Sequence, residues 1–214
     1  MDYLSTYYDS IIIITVSKEL SGTYNSFHNA AKNFKNKDFQ ISVINSKMNS
    51  GAQGLLVKKC TEYLKSGLPH HAIVQKIEAA IASGKILVQV HNLDYMIQSG
   101  RLSIRAGTIA RRIGLKPIVT LDATGKGSLE SIAFSLTGSN KKIINHIKHI
   151  LRKNRIEQYN IVHVNNETDA NKLAHLLTHI IGFKPEYIME TSSIIAISAG
   201  EGAIAISYLL VKDE

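Results

Sequence analysis

Apolar and polar positions alternate along the chain in blocks, and these blocks predict strands separated by helices. The first apolar block, residues 10–16, is a β-branched run that ends in polar residues, which is typical of a strand buried on both faces. Further strands are predicted over residues 39–44, 86–90, 118–121, 159–164, 187–189 and 194–197. Helices are predicted from the Ser21-Gly22-Thr23 segment to Phe34, from Leu55 to Gly67, from Pro69 onward, and over residues 139–152 and 167–181.

The helix over residues 139–152 has the clearest pattern of all. Basic residues occupy one face of it, and the other face is apolar. The apolar face consists of Ile143, Ile144, Ile147, Ile150 and Leu151. Because the strands alternate with helices of about 10–15 residues, the sequence predicts an α/β protein with largely parallel sheets flanked by helices.

Composition narrows the class of protein. The chain has 214 residues, of which 44% are hydrophobic and 20% charged, so it has enough apolar material for a core and is not intrinsically disordered. No apolar run approaches the ~20 residues that span a bilayer. The first twenty residues contain Asp2, Asp9 and Glu19, which is unlike a signal peptide. We therefore expect a soluble cytoplasmic protein without a membrane span.

Charge is unevenly distributed. The 25 Lys and Arg residues exceed the 17 Asp and Glu residues by 8, which permits an acidic partner. One acid-free block, between Asp94 and Asp122, contains Arg101, Arg105, Arg111, Arg112 and Lys116. A second contains Lys141, Lys142, Lys148, Arg152, Lys153 and Arg155. Each block is either a partner surface or a plain solvated face. Nucleic-acid binding is not expected, since no aromatic-interleaved basic motif is present.

Common catalytic and metal motifs are absent from the sequence. There is no P-loop and no G-x-S-x-G elbow, and the loose G-x-G-x-x-A match at residues 200–205 has too little chain after it for a dinucleotide-binding unit. His175 and His179 are one helical turn apart but lack a nearby acidic ligand. The single cysteine, Cys60, excludes an internal disulfide and a cysteine-built zinc site. We expect no metal, no cofactor and no catalytic activity.

The most informative segment is the Ser21 loop, residues 20–26, which lies where a buried strand ends and a helix begins. In open α/β sheets ligands bind at the carboxyl ends of strands, and the first turn of a helix offers free N–H groups to an anion. Ser21 is a suitable N-cap, and Gly22 lets a ligand approach the backbone. Many helices that bind nothing also begin with Ser-Gly, so the residues alone leave ligand binding open.

Five further motifs accompany this loop, and together they resemble the DegV family of bacterial fatty-acid-binding proteins. Residues 13–26, IITVSKELSGTYNS, resemble the family signature. In the right order follow VINS at residues 43–46, GAQG at 51–54, LDYMIQSGRL at 93–102, LKPI at 115–118 and SAGEGA at 198–203. The resemblance covers the whole chain.

The resemblance implies two α/β domains, which we place at residues 1–84 and 85–214. It implies a long-chain fatty acid, such as a C16–C18 acid, between them, with its carboxylate on hydroxyl groups and its tail in an apolar tunnel. Some family members present the acid to an ATP-dependent fatty acid kinase. Carried over to this chain, the ligand-binding residues are Ser21, Gly22, Thr23 and Ser198. The residues expected to face a partner are Arg101 and Arg105.

Two departures from the family pattern matter. The acidic D-S-T/S strand and the T-S-Q-P-S loop that precede the signature in the family are not in this sequence, so the first domain is expected to be N-terminally incomplete. In the loop at residues 198–203, Ser198 replaces the family's histidine and Glu201 its proline, and a carboxylate near the fatty-acid head would repel it. The alternative hypothesis is therefore a degenerate family member that binds no lipid and acts through protein contacts.

An incomplete first domain also predicts self-association. A sheet without its first strand exposes an unpaired edge and an apolar face, which proteins usually cover. The apolar cluster Tyr3, Leu4, Tyr7 and Tyr8 could cover only part of that face as one short helix. We therefore expect a homodimer.

Overall fold

A computed structural model of the chain describes residues 1–36, 38–91, 93–101 and 115–211. Helices and strands alternate along most of it. The helices are α1 Asp2–Ser5, α2 Thr23–Lys32, α3 Ser50–Lys65, α4 His70–Ile81, α5 Asp94–Gln98, α6 Leu136–Ile150, α7 Glu167–Ile181 and α8 Ser193–Ala199. The strands are β1 Ser10–Thr15, β2 Gln40–Asn45, β3 Gly84–Gln89, β4 Lys116–Leu121, β5 Gly127–Ala133, β6 Ile156–His163, β7 Ile188–Glu190 and β8 Ile204–Leu210.

The strands form two sheets, which confirms the α/β class. The small sheet pairs β1 with β2 in parallel, and the large sheet has the order β5-β4-β3-β8-β6-β7. The expectation of largely parallel sheets is wrong for the large sheet, where, among the described strands, only β6 and β7 pair in parallel. The turn at residues 122–126 is too short for a crossover, so β4 and β5 form an antiparallel hairpin. Strand β8 then inserts between β3 and β6, antiparallel to both.

Several regions depart from the predicted elements. Residues 194–197 lie in helix α8 rather than in a strand, because a short apolar run has no periodicity that separates the two. Strands β5 and β8 were not predicted. The apolar run of β8 is almost fully buried at the centre of the large sheet. The helix predicted over residues 167–181 coincides with α7.

The large sheet is covered on both faces. Alternate residues such as Leu87, Ile161 and Ile206 pack against α6 and α7, and their neighbours in sequence, such as Ile86 and Ala205, pack towards α3. This period of two follows from the pleat of the strands. Helix α3 also contacts β1 of the small sheet, so it connects the two sheets. The division into domains 1–84 and 85–214 stays a prediction.

Helix α3 packs unusually close to the large sheet at Gly51. A Cβ atom on this residue would lie 2.3 Å from Asn160 Oδ1 and 2.9 Å from Ser207 Oγ, so only glycine fits. The Asn160 side-chain amide donates a hydrogen bond to the Gly51 carbonyl at 2.8 Å, and Asn160 is fully buried. The GAQG motif is therefore explained by helix packing at this position.

The small sheet is covered unequally. Ile12, Ile14 and Ile44 pack against α3 and α4. The opposite face carries Ile11 and Ile41 and is contacted by α2, which has no buried residue. The aromatic residues at the start of the chain do not cover it, because Tyr3, Tyr7 and Tyr8 are 73%, 68% and 62% exposed. In the described ranges, none of the helices has both the length and the apolar character needed to cross a membrane.

Candidate ligand cavity

A cavity of about 680 Å³ lies where the carboxyl end of β1 meets the large sheet, α3 and α8. Its volume falls within the roughly 300–1,000 Å³ of small-molecule sites. Its walls are mostly apolar. The large sheet contributes Ile86, Val88, Val119, Val162 and Ala205, and the small sheet contributes Ile13 and Ile14. An apolar lining of this kind favours a ligand with a hydrocarbon part.

Hydroxyl groups from the loop after β1 interrupt this apolar lining. Ser21 and Thr23 both line the cavity, and their hydroxyl oxygens lie 2.8 Å apart. The Thr23 amide also donates to Ser21 Oγ at 3.3 Å. Gly22 directly precedes α2 but has helical backbone angles itself, so the bond from the Thr23 amide makes Ser21 the residue that caps the first turn, as expected. Gly22 does not line the cavity, although a Cβ atom there would meet nothing within 4 Å.

Helix α8 brings a third predicted residue to the cavity. Ser198 lines it, whereas Glu201 does not. Glu201 is exposed and accepts a hydrogen bond from Asn165 Nδ2 at 2.8 Å. The expected repulsion between Glu201 and a bound anion is therefore not supported, because this carboxylate does not face the cavity.

The structure describes only some of the residues in the two predicted basic blocks. Arg101 is exposed and lines the cavity, while Arg105, Arg111 and Arg112 lie outside the described residues. The second basic block is exposed along α6 and the segment after it. Helix α6 packs on the face of the large sheet away from α3, so this block is remote from the cavity. Within the described ranges, no cluster of three or more His, Cys, Asp or Glu side chains could hold a metal ion.

Sequence reasoning missed a polar group at the ends of β6 and β7. His163 Nδ1 lies 3.3 Å from Glu190 Oε2, and both residues line the cavity. Beside them, Ser50 Oγ is 3.3 Å from Thr191 Oγ1. These residues are at the carboxyl ends of parallel strands or at the start of α3, so the strand-end rule that singled out Ser21 could also have found them.

Tyr187 is a further residue that the sequence did not reveal. It lines the cavity, and its hydroxyl accepts a hydrogen bond from Asn160 Nδ2 at 2.7 Å. Burial raises the pKa of Tyr187, so the phenol stays neutral. Its hydroxyl oxygen is thus a polar atom in an otherwise apolar wall, and Asn160 already donates a hydrogen bond to it.

One nucleophile–base contact lies outside the cavity lining. Ser42 Oγ is 2.8 Å from His70 Nε2, although no such pair was visible in the sequence. His70 Nδ1 is buried without a hydrogen-bond partner among the described residues, so no third group orients the imidazole as in a catalytic triad. Burial lowers the pKa of His70.

The fold and cavity define a class, an α/β protein with a ligand-sized, largely apolar cavity beside the carboxyl end of a small parallel sheet. The model of the family described as "Uncharacterised protein, DegV family" matches residues 1–211. The chain therefore belongs to the DegV family.

Known relatives match most of the length of this chain. A DegV domain-containing protein of Staphylococcus aureus is 29% identical over 199 residues, which are 93% of this chain and 70% of that protein. A fatty acid-binding protein of Thermotoga maritima is 25% identical over 95% of this chain and 70% of its own length. The fatty acid kinase B3 protein of Streptococcus pneumoniae, solved loaded with linoleic acid, superposes with a TM-score of 0.87 at 24% identity, over 97% of this chain and 75% of that one.

Proposed function

We propose that this protein binds one long-chain fatty acid, such as a C16–C18 acid, in the cavity. The observation that carries the proposal is an apolar cavity with the hydroxyls of Ser21 and Thr23, 2.8 Å apart, on its wall. A fatty acid has the matching chemistry, because its tail needs apolar walls and its carboxylate needs hydrogen-bond donors. Membership of the DegV family and the fatty acid bound to the pneumococcal relative support the same ligand.

Most of the affinity comes from the tail. Each buried methylene contributes about 0.8 kcal/mol, whereas a hydrogen bond to a charged group contributes about 1.5–3 kcal/mol. In this proposal Ser21 and Thr23 donate to the carboxylate, Ser198 approaches from α8, and Gly22, which is not on the cavity wall, joins the two hydroxyl-bearing residues. The hydroxyls therefore set the orientation of the acid more than its affinity.

In the same proposal the protein carries out no chemistry on the acid and presents it to another enzyme. A fatty acid kinase is the proposed partner, because the pneumococcal relative is named as part of such a kinase. Arg101, which is exposed at the cavity, and Arg105 would face that partner or the acyl phosphate it forms. Location in the cytoplasm stays a prediction.

Native mass spectrometry of the recombinant chain tests the proposal. We expect a co-purified mass that dissociates as a long-chain fatty acid and returns when the stripped protein is incubated with linoleic acid. A chain that is empty and takes up no acid would contradict lipid binding and favour the degenerate family member. Turnover of an acyl substrate by the purified chain alone, lost on a single substitution, would contradict the absence of catalysis.

A further inference from the structure

Ser17 holds the loop that carries Ser21. It is fully buried two residues after β1, and its hydroxyl donates to the Gly125 carbonyl at 2.8 Å. Its amide donates to the Met48 carbonyl at 2.7 Å, and its own carbonyl accepts from the amides of Leu20 at 3.0 Å and Ser21 at 3.2 Å. The backbone position of Ser21 is therefore set through Ser17.

The partner of the Ser17 hydroxyl belongs to the other sheet. Gly125 is in the turn at residues 122–126, the hairpin tip between β4 and β5. Asp122 Oδ1 shapes this tip by accepting from the amides of Thr124 at 2.8 Å and Lys126 at 3.1 Å. The tip is thus a small, internally hydrogen-bonded unit that is presented to the loop after β1.

The contact between tip and loop leaves no free space. Gly125 has φ of 91°, a conformation that side chains rarely adopt. A Cβ atom there would lie 2.3 Å from Ser17 Oγ and 2.9 Å from the Lys47 Cα. Displacement of the tip would therefore remove the acceptor of the Ser17 hydroxyl and allow the loop that carries Ser21 to shift.

We propose that Ser17, braced by the hairpin tip at Gly125, is a positioning residue that aims the Ser21 hydroxyl at the ligand's carboxylate. Ser17 does not line the cavity, so it acts only through the loop. The inference rests on the proposed binding of a fatty acid at Ser21. It adds that recognition of the acid's head depends on a contact between the two sheets, which neither sheet provides alone.

The test compares a fatty acid with the alcohol of the same chain length, because the two share a tail and differ in the charged head. For Ser17→Ala we expect affinity for the acid to fall about fivefold to tenfold, the effect of about one hydrogen bond, with less than a twofold change for the alcohol. Gly125→Ala should act in the same direction. The carbon-13 resonance of a carboxyl-labelled acid should also shift in both variants, because the hydrogen bonds to the carboxylate change.

Ser139→Ala provides the matched control. Ser139 is also fully buried, but its hydroxyl donates to the Lys116 carbonyl at 3.2 Å from helix α6, which packs on the face of the large sheet away from α3. It should leave the ratio of acid to alcohol affinity unchanged. Equal losses for acid and alcohol in Ser17→Ala, or an unchanged carboxyl resonance, would overturn the positioning role while leaving fatty-acid binding intact. A wild-type chain that binds neither ligand would overturn both proposals. If Gly125→Ala fails to fold, the measurements on Ser17→Ala still test the positioning role.

Discussion

The hydroxyl oxygens of Ser21 and Thr23 lie 2.8 Å apart at the start of α2, close enough that one donates to the other. Either oxygen can be the donor, so the two hydrogens can reorient without movement of the backbone. A carboxylate that arrives between them accepts from both, at the cost of the one bond they share. The pair is therefore suited to hold an anion that enters from the cavity.

Replacement of Ser21 tests this pair. Ser21→Ala should weaken fatty-acid binding by about 1.5–3 kcal/mol, a factor of roughly 10–150, because one hydrogen bond to a charged group is lost. Ser26→Ala is the control, since Ser26 is exposed on α2 and its hydroxyl, among the described residues, bonds only to the Gly22 carbonyl, at 3.3 Å. Calorimetric titration with linoleic acid measures both variants. An unchanged affinity in Ser21→Ala would exclude this residue as a head-group ligand.

A methyl group at Gly51 should destabilise the fold. In Gly51→Ala the Cβ atom meets Asn160 Oδ1 at 2.3 Å, so α3 must move away from the large sheet. We expect a loss of about 1–3 kcal/mol in the free energy of unfolding, less any gain from alanine's helix propensity. Gly22→Ala is the control, because its Cβ atom enters open space. Thermal unfolding at equal concentration compares the two, and equal melting temperatures would show that the close approach at Gly51 is not required.

Stability should fall as the pH is lowered from 7 to 5. Burial lowers the pKa of His146, whose Nε2 lies 2.8 Å from Tyr208 Oη, and the carboxylate of Glu130, 3.6 Å from Nδ1, opposes this only in part. The unfolded chain, with a histidine pKa of about 6.5, therefore binds protons more readily than the folded one below that pH. The stability lost on acidification should level off below the folded-state pKa.

Histidine substitutions separate the contributions to this pH dependence. His146→Gln keeps a hydrogen-bonding side chain beside Tyr208 and should flatten the slope of unfolding free energy against pH. A residual slope is expected from His70, whose pKa burial also lowers. His175→Gln, at an exposed position of α7, controls for the substitution itself. Urea unfolding at several pH values measures the slope of unfolding free energy against pH. A slope that His146→Gln leaves unaffected would show that His146 does not cause the pH dependence.

The unevenly covered small sheet predicts a homodimer. Its outer face carries Ile11 and Ile41, which are only half-buried beneath α2, so a second copy could bury the rest of this apolar surface. Sedimentation at micromolar concentration should show a dimer, and Ile41→Asp should shift it to monomer. Ile197→Asp, at an apolar residue of α8 that is 66% exposed, is the control. A wild-type monomer that still binds a fatty acid tightly would contradict this prediction.

Local pattern predicted some elements better than others. The step from β1 through the Ser21 loop to α2, and helix α7, were expected because each depends on neighbouring residues in sequence. The antiparallel insertion of β8 between β3 and β6 was missed, because strand order is decided by pairing between segments far apart in the chain. A nearly continuous apolar run also does not indicate the direction in which a strand will pair.

The residues of the candidate site also differ in how well the sequence predicts them. Ser21 and Thr23 belong to one loop with a readable motif, and both line the cavity. The contact of His163 with Glu190 joins the ends of two strands, and that of Ser17 with Gly125 joins two sheets. Separation in sequence hides such contacts, because no local pattern records which loops the fold brings together. The strand-end rule can point to His163 and Glu190 singly, but the contacts themselves emerge only from the assembled tertiary structure.

The central claim, that the cavity holds a fatty acid with its carboxylate at the Ser21 loop, is tested most directly by a crystal structure of the chain grown with linoleic acid. We expect continuous density for the tail between Ile86, Val162 and Ile14, and carboxylate oxygens within hydrogen-bond distance of Ser21 Oγ and Thr23 Oγ1. A carboxylate bound elsewhere, or a cavity that stays empty at saturating acid, would contradict the account.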